Sequence, residues 1–123
     1  AMFPKNNNVC NLLNKTTFEE MSAAIKLADY IVTVDTATTH IALVYDKPMV
    51  ALWNCTEPYH VMSYQPKNII HLVASLPCSP CYTVQCQVPH NPFTCYQQFF
   101  PERIIDALNH LSYTISNIEG SND

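Results

Sequence analysis

The sequence predicts an α/β fold, a partial Rossmann-like parallel sheet with flanking helices. Two observations carry this. The runs Tyr30 to Val34 and Met49 to Trp53 are apolar almost throughout, as strands covered on both faces are. Between them lies a short apolar helical segment, the arrangement of a right-handed strand-helix-strand crossover.

Taken in order, the Asn-rich first fifteen residues read as a strand end and loop, with Ala1 before Met2 reading as a remnant of an expression tag. Thr17 opens a helix: Glu20, three residues on, completes a capping box, and Phe18, Met21, Ile25 and Ala28 fall on one face. The strand from Tyr30 ends at Asp35, where Asp-Thr-Ala-Thr-Thr-His supplies cap-type residues, Asp35 foremost, before a helix from about Ala37 to Val44. Asp46-Lys47-Pro48 breaks that helix, and Met49 begins the second strand. A polar stretch, Asn54 to Asn68, leads to a third strand, Ile69 to Val73. Residues 74–98, rich in Pro and Cys, read as a long ordered loop. Pro101 at the first position opens a final helix with an apolar stripe of Ile104, Ile105, Leu108, Leu111 and Ile115. One domain over residues 1–118 and a frayed, disordered tail at 119–123 are expected.

Composition removes several functions. With six Lys plus Arg, ten Asp plus Glu and a net charge of -4, the chain has no basic stripe for a phosphate backbone, so nucleic acid is not an expected partner. The stretch His40 to Trp53 is interrupted by Asp46 and Lys47 and is shorter than the ~20 residues of a transmembrane helix. Gly120 is the single glycine, which excludes a glycine-rich phosphate loop and leaves left-handed turn positions to Asn, Asp or bulkier residues. Charged residues make up 13% of the chain, against about 25% in an average soluble domain. Either an uncharged polar surface or a covering domain or subunit accounts for that.

Ligands of open parallel sheets bind beyond the carboxyl ends of strands, where the next helix points its N-terminus. Asp35 to His40 occupies such a place. Free N–H groups of the first helical turn, the hydroxyls of Thr36, Thr38 and Thr39, and an imidazole donor at His40 together suit a diphosphate. An ordinary cap and a packing histidine would produce the same residues.

The segment NLLNKTTFEEMSAAIKLADYIVTVDTATTHIALVYDKPMVALWNCTEP resembles the C-terminal domain of the glycosyltransferase family that includes the lipopolysaccharide heptosyltransferases. The matching pieces are Lys15-Thr16-Thr17-Phe18, Ala28-Asp29, Asp35 to His40, Pro48-Met49-Val50-Ala51-Leu52 and Thr56-Glu57-Pro58, followed by Cys78-Ser-Pro-Cys81 and the Pro-Glu-Arg-Ile-Ile helix. The resemblance implies a bacterial, inverting enzyme of GT-B architecture. Its C-terminal domain would hold a nucleotide sugar such as ADP-heptose, and its N-terminal domain would supply the acceptor site and the carboxylate base. It further implies that Asp35, Thr36, Ala37, Thr38, Thr39 and His40 surround the diphosphate and sugar, and that Thr16 lies near the base. No catalytic residue is expected in this chain, and no cofactor is needed for transfer. The first strands of the donor domain would lie upstream of residue 1, so that the chain alone is inactive. The missing N-terminal domain or a second copy would be its partner, and its location would be cytoplasmic, peripheral at the inner membrane. Ala37 stands where the family usually has Gly, and its Cβ would crowd a closely approaching phosphate.

Cys78, Cys81, Cys86 and Cys95, spaced C-x2-C-x4-C-x8-C, are candidate ligands of a structural zinc, with His90 as a replacement. Because some protein-glycosylating relatives carry cysteine-bound iron, the resemblance adds iron. Free thiols or disulfides are the alternatives. A noncatalytic, metal-stabilised binding module derived from a transferase is the competing reading of the whole chain. His60, His71 and His110 read as surface or packing residues, Glu57 and Tyr59 as part of a plain turn, and Trp53 as core.

Overall fold

The structure, a computed structural model, describes residues 8–62, 67–90 and 92–121. Three parallel strands form one sheet in the order β1-β2-β3: β1 is Ile31–Val34, β2 is Met49–Trp53 and β3 is Ile69–Val73. The register pairs Ile31 with Met49 and Met49 with Ile69. Helix α1 (Phe18–Leu27) precedes β1, α2 (Ala37–Val44) joins β1 to β2, a single turn α3 (Pro58–Val61) follows β2, and α4 (Pro101–Ser121) closes the chain.

Alternation along the strands sorts the core into two layers. On one face Ile31, Met49, Ala51 and Trp53 pack with Ile25 of α1 and Ala42 of α2, with Ile69 and Val73 beside them. On the other, Val50 packs against Ala107 and Leu111 of α4, joined by Leu52, Ile70 and Leu72. Strand β2 is therefore covered twice, and Met49, Val50, Ala51 and Trp53 are fully buried. Removing a Leu or Val side chain from water gains about 1.5–3 kcal/mol, so this strand anchors the domain.

The capping box at Thr17 and Glu20 forms in both directions, each bond 3.2 Å long. Tyr30 falls outside β1, and Phe18 of α1 and Ile105 of α4 are exposed rather than on the packed stripes. The α4 stripe instead runs through Ala107, Leu108, Leu111 and Ile115. Helix α4 continues past Ile118 to Ser121, and residues 122 and 123 of the expected tail lie outside the described residues. Part of the expected strand end at the N-terminus does too, along with the side chain of His60.

Without glycine, left-handed backbone falls on Asn14, Asp46, Tyr82 and Phe93, at φ of 57°, 54°, 53° and 62°. Asn and Asp tolerate this conformation, whereas the bulky Tyr82 and Phe93 each carry strain of about 1–3 kcal/mol. Both lie in the cysteine loop, which includes a 3-10 turn at Thr94–Gln98. The two ends of the loop meet where the N–H of Ser75 donates to Gln98 Oε1 at 2.6 Å. Arg103 of α4 holds the same place by donating to the carbonyls of Gln98 at 2.9 Å and Val73 at 3.3 Å.

Candidate functional site

The turn from β1 into α2 lies at the carboxyl end of an outer strand, and its polar groups divide between holding the turn and facing outward. Thr39 is fully buried, and its hydroxyl donates to the Val34 carbonyl at 2.6 Å, fastening the first turn of α2 to the end of β1. Thr36 is the N-cap residue, with no side-chain cap bond, which corrects the expectation that Asp35 caps this helix. Instead, the Asp35 carboxylate accepts from the Thr56 hydroxyl at 2.8 Å. That bond joins the loops after β1 and β2, neighbouring parallel strands. Sequence reading quoted Thr56 in a turn motif and missed this role, which follows only once β1 and β2 are adjacent.

Thr36, Ala37 and His40 are exposed and Thr38 is half-buried. Ala37 sits in helical backbone and is absent from the positive-φ positions, so its Cβ fits the turn itself without strain. Any crowding falls on a ligand. An open groove of about 730 Å³ runs along β1, lined by Leu12, Leu13, Thr16, Met21, Val32 and Thr38 among others. The structure thus brings Thr16 and Thr38 to one groove, while Asp35, Thr36, Ala37 and His40 lie outside its lining.

A second cavity, of about 160 Å³, lies beyond β2 and is lined by Cys55, Cys78, Cys81, Cys86 and Cys95. Cys55 was not grouped with the others in the sequence because it lies on a different loop. The sulfurs are held by separate donors: Thr83 Oγ1 to Cys81 at 3.2 Å, the Phe93 N–H to Cys86 at 3.3 Å and Asn54 Nδ2 to Cys95 at 3.7 Å. The hydrogen bonds from Thr83 lower the pKa of the Cys81 thiol, while burial first, then the nearby Cys81, raise that of Cys55. The donor chemistry of these thiols suits a soft ion. Among the described residues no three His, Cys, Asp or Glu side chains form a group that could hold a metal.

His71, read from sequence as a surface or packing residue, is paired. Trp53 Nε1 donates to His71 Nδ1 at 2.9 Å across the β2 and β3 register. Burial lowers the pKa of His71, keeping the neutral acceptor form.

A parallel sheet covered by helices, with a polar helix N-terminus beyond a strand end, defines the α/β class whose ligands bind at strand carboxyl ends. The model of the family described as Glycosyltransferase family 9 (heptosyltransferase) matches residues 3–91, more than half of the 123. The chain belongs to that family. No curated protein and no solved structure matches it. Among the described residues no helix is long and apolar enough to cross a membrane.

Proposed function

We propose that the chain forms the donor side of a bacterial inverting glycosyltransferase and binds a nucleotide sugar of the ADP-heptose type. The observation that carries the reading is the N-terminus of α2, which follows β1 with Thr36 and Ala37 exposed and Thr38 on the rim of the β1 groove. Its first-turn N–H groups and dipole favour a diphosphate. The groove walls, Leu12, Leu13, Met21 and Val32 with Thr16 among them, suit the flat apolar faces of a base, and the groove volume is that of a small-ligand site. His40 lies within the first turn and adds a donor toward the phosphates.

Roles within the turn divide accordingly. Asp35 is a positioning residue whose charge is engaged by Thr56, and Thr39 fastens the helix to the strand. Thr36, the Ala37 and Thr38 backbone, and His40 face the donor. Inverting transfer also needs a base to take the acceptor hydroxyl proton, and the family resemblance assigns that carboxylate to a separate N-terminal domain. The chain on its own therefore binds donor weakly and transfers no sugar, on the cytoplasmic side of the inner membrane where such donors are used.

Calorimetric titration with ADP and with AMP, beside a transfer assay, tests this. Weak ADP binding that exceeds AMP binding, without turnover, is expected. Turnover by the chain alone would overturn the division of labour, and no ADP binding would favour a noncatalytic module derived from such an enzyme.

A further inference from the structure

We infer that the outer face of the cysteine loop, with Tyr82, Val84, Phe93 and Tyr96, is where a second copy of this chain docks in a reversible two-fold dimer. The chain's shortage of charge is concentrated here. Between Lys67 and Glu102 there is no Lys, Arg, Asp or Glu, so all six basic and all ten acidic side chains lie on the rest of the chain. Large apolar side chains stand exposed in the same stretch: Val84 fully, and Tyr82, Phe93 and Tyr96 at between 53% and 56%. Val84, Phe93 and Tyr96 line one cavity, as do Cys81 and Thr83 on either side of Tyr82, and the rings of Phe93 and Tyr96 lie 6.2 Å apart. The four side chains therefore make one patch rather than scattered exposures.

The patch is also held in place. The Tyr82 N–H donates to the Cys55 carbonyl at 2.8 Å, the Ser79 hydroxyl donates to the Asn54 carbonyl, and Gln98 ties the far end of the loop to Ser75 and Arg103. Pro77, Pro80, Pro89 and Pro92 restrict the backbone between these anchors. Tyr82 and Phe93 keep a left-handed backbone at a cost in strain, and both display their rings outward. Docking on such a loop orders little that is not ordered already, which lowers the entropic cost of association.

Charge selects the occupant. With a net charge of -4, two copies repel over most of their surfaces, but two of these loops can face each other without a like-charge pair. Aromatic side chains with few charges are also the composition of an interface core. A charged partner finds no counter-charge here, and an anionic membrane finds no Lys or Arg. A two-fold contact sets the patch against itself. Three half-exposed rings and Val84 offer roughly 500 Å² per copy. The pair would thus bury about 1,000 Å², which suits a weak, concentration-dependent contact. The contact does not depend on the proposed donor role, and either can fail alone.

The test is sedimentation velocity of the full chain over a range of concentrations, in reductant and chelator so that neither a disulfide nor a metal ion joins two copies. The expected result is a mass that rises with concentration from 13.9 kDa toward twice that value, at low and at high salt alike. Val84→Glu and Tyr96→Glu should each hold the mass at one chain, because each sets a charge against its own symmetry mate. The outward position of Val84 should leave the circular dichroism of its variant unchanged. Val32→Lys on the open edge of β1 and Val44→Lys on α2 should dimerise as the parent does. A parent chain that is monomeric at every concentration would overturn the proposal whatever the variants do. So would a dimer that salt dissolves, one that survives either loop substitution, or one that Val32→Lys abolishes, which would move the contact to the sheet edge.

Discussion

Strands β1 and β2 are neighbours in one parallel sheet and are similarly apolar, yet they live in different surroundings. In β2 both sets of alternating side chains are buried, one under α1 and α2, the other under α4. In β1 only Ile31 and Thr33 are covered; Val32 and Val34 remain 45% and 41% exposed, because α4 lies over β2 and β3 and stops short of the outer strand. An apolar run therefore reports the capacity for two-sided burial, and the reach of the covering helix decides whether it happens. The β1 side is where the groove lies, so the stable half of the sheet supports the half that is left open to a ligand.

The contrast can be broken most severely at Trp53. Trp53→Ala should cost about 3–5 kcal/mol in denaturant unfolding, since it empties a fully buried site and removes the indole N–H that donates to His71. Leu111→Ala, on the opposite face of β2, should cost about 2–5 kcal/mol, whereas Val32→Ala on β1 should cost less than about 1 kcal/mol. Equal losses at Leu111 and Val32 would mean that β1 is as well covered as β2. Thr17→Ala, which removes one arm of the capping box, should lie near 1 kcal/mol.

A smaller, pH-dependent effect separates the two regions again. The folded pKa of His71 lies below the ordinary 6.5, so just below 6.5 the unfolded chain binds the proton more readily than the folded one. The stability held by the neutral His71 is therefore fully present above about pH 6.5 and is lost as pH falls through that value toward the folded pKa. Denaturation midpoints of the parent should drop on acidification more than those of His71→Gln, and identical pH profiles would remove His71 from the account.

The bounds of α2, β2 and β3 were legible because each is a short apolar run ended by turn residues, such as Asp46-Lys47-Pro48. What stayed hidden depends on strand order and register. His71 has no local signal, but with β2 and β3 parallel and Met49 opposite Ile69, alternation puts it on the same face as Trp53. Asp35 carries the mark of a helix cap, and only the adjacency of β1 and β2 turns its carboxylate to Thr56. Cys55 is likewise separated in sequence from the cysteines whose cavity it shares. At the candidate site, the residue types were legible and their division between holding and facing outward was not.

The central claim is that the open, β1 side of the sheet binds a diphosphate at the start of α2. Amide-resolved NMR of the labelled chain, titrated with ADP and then with AMP, tests it most directly. The account predicts saturable ADP-induced shifts centred on the Ala37 and Thr38 amides, extending to Thr16, with AMP reproducing those at Thr16 and weakening those in α2. Shifts confined to other surfaces, or equal α2 shifts with both nucleotides, would contradict it.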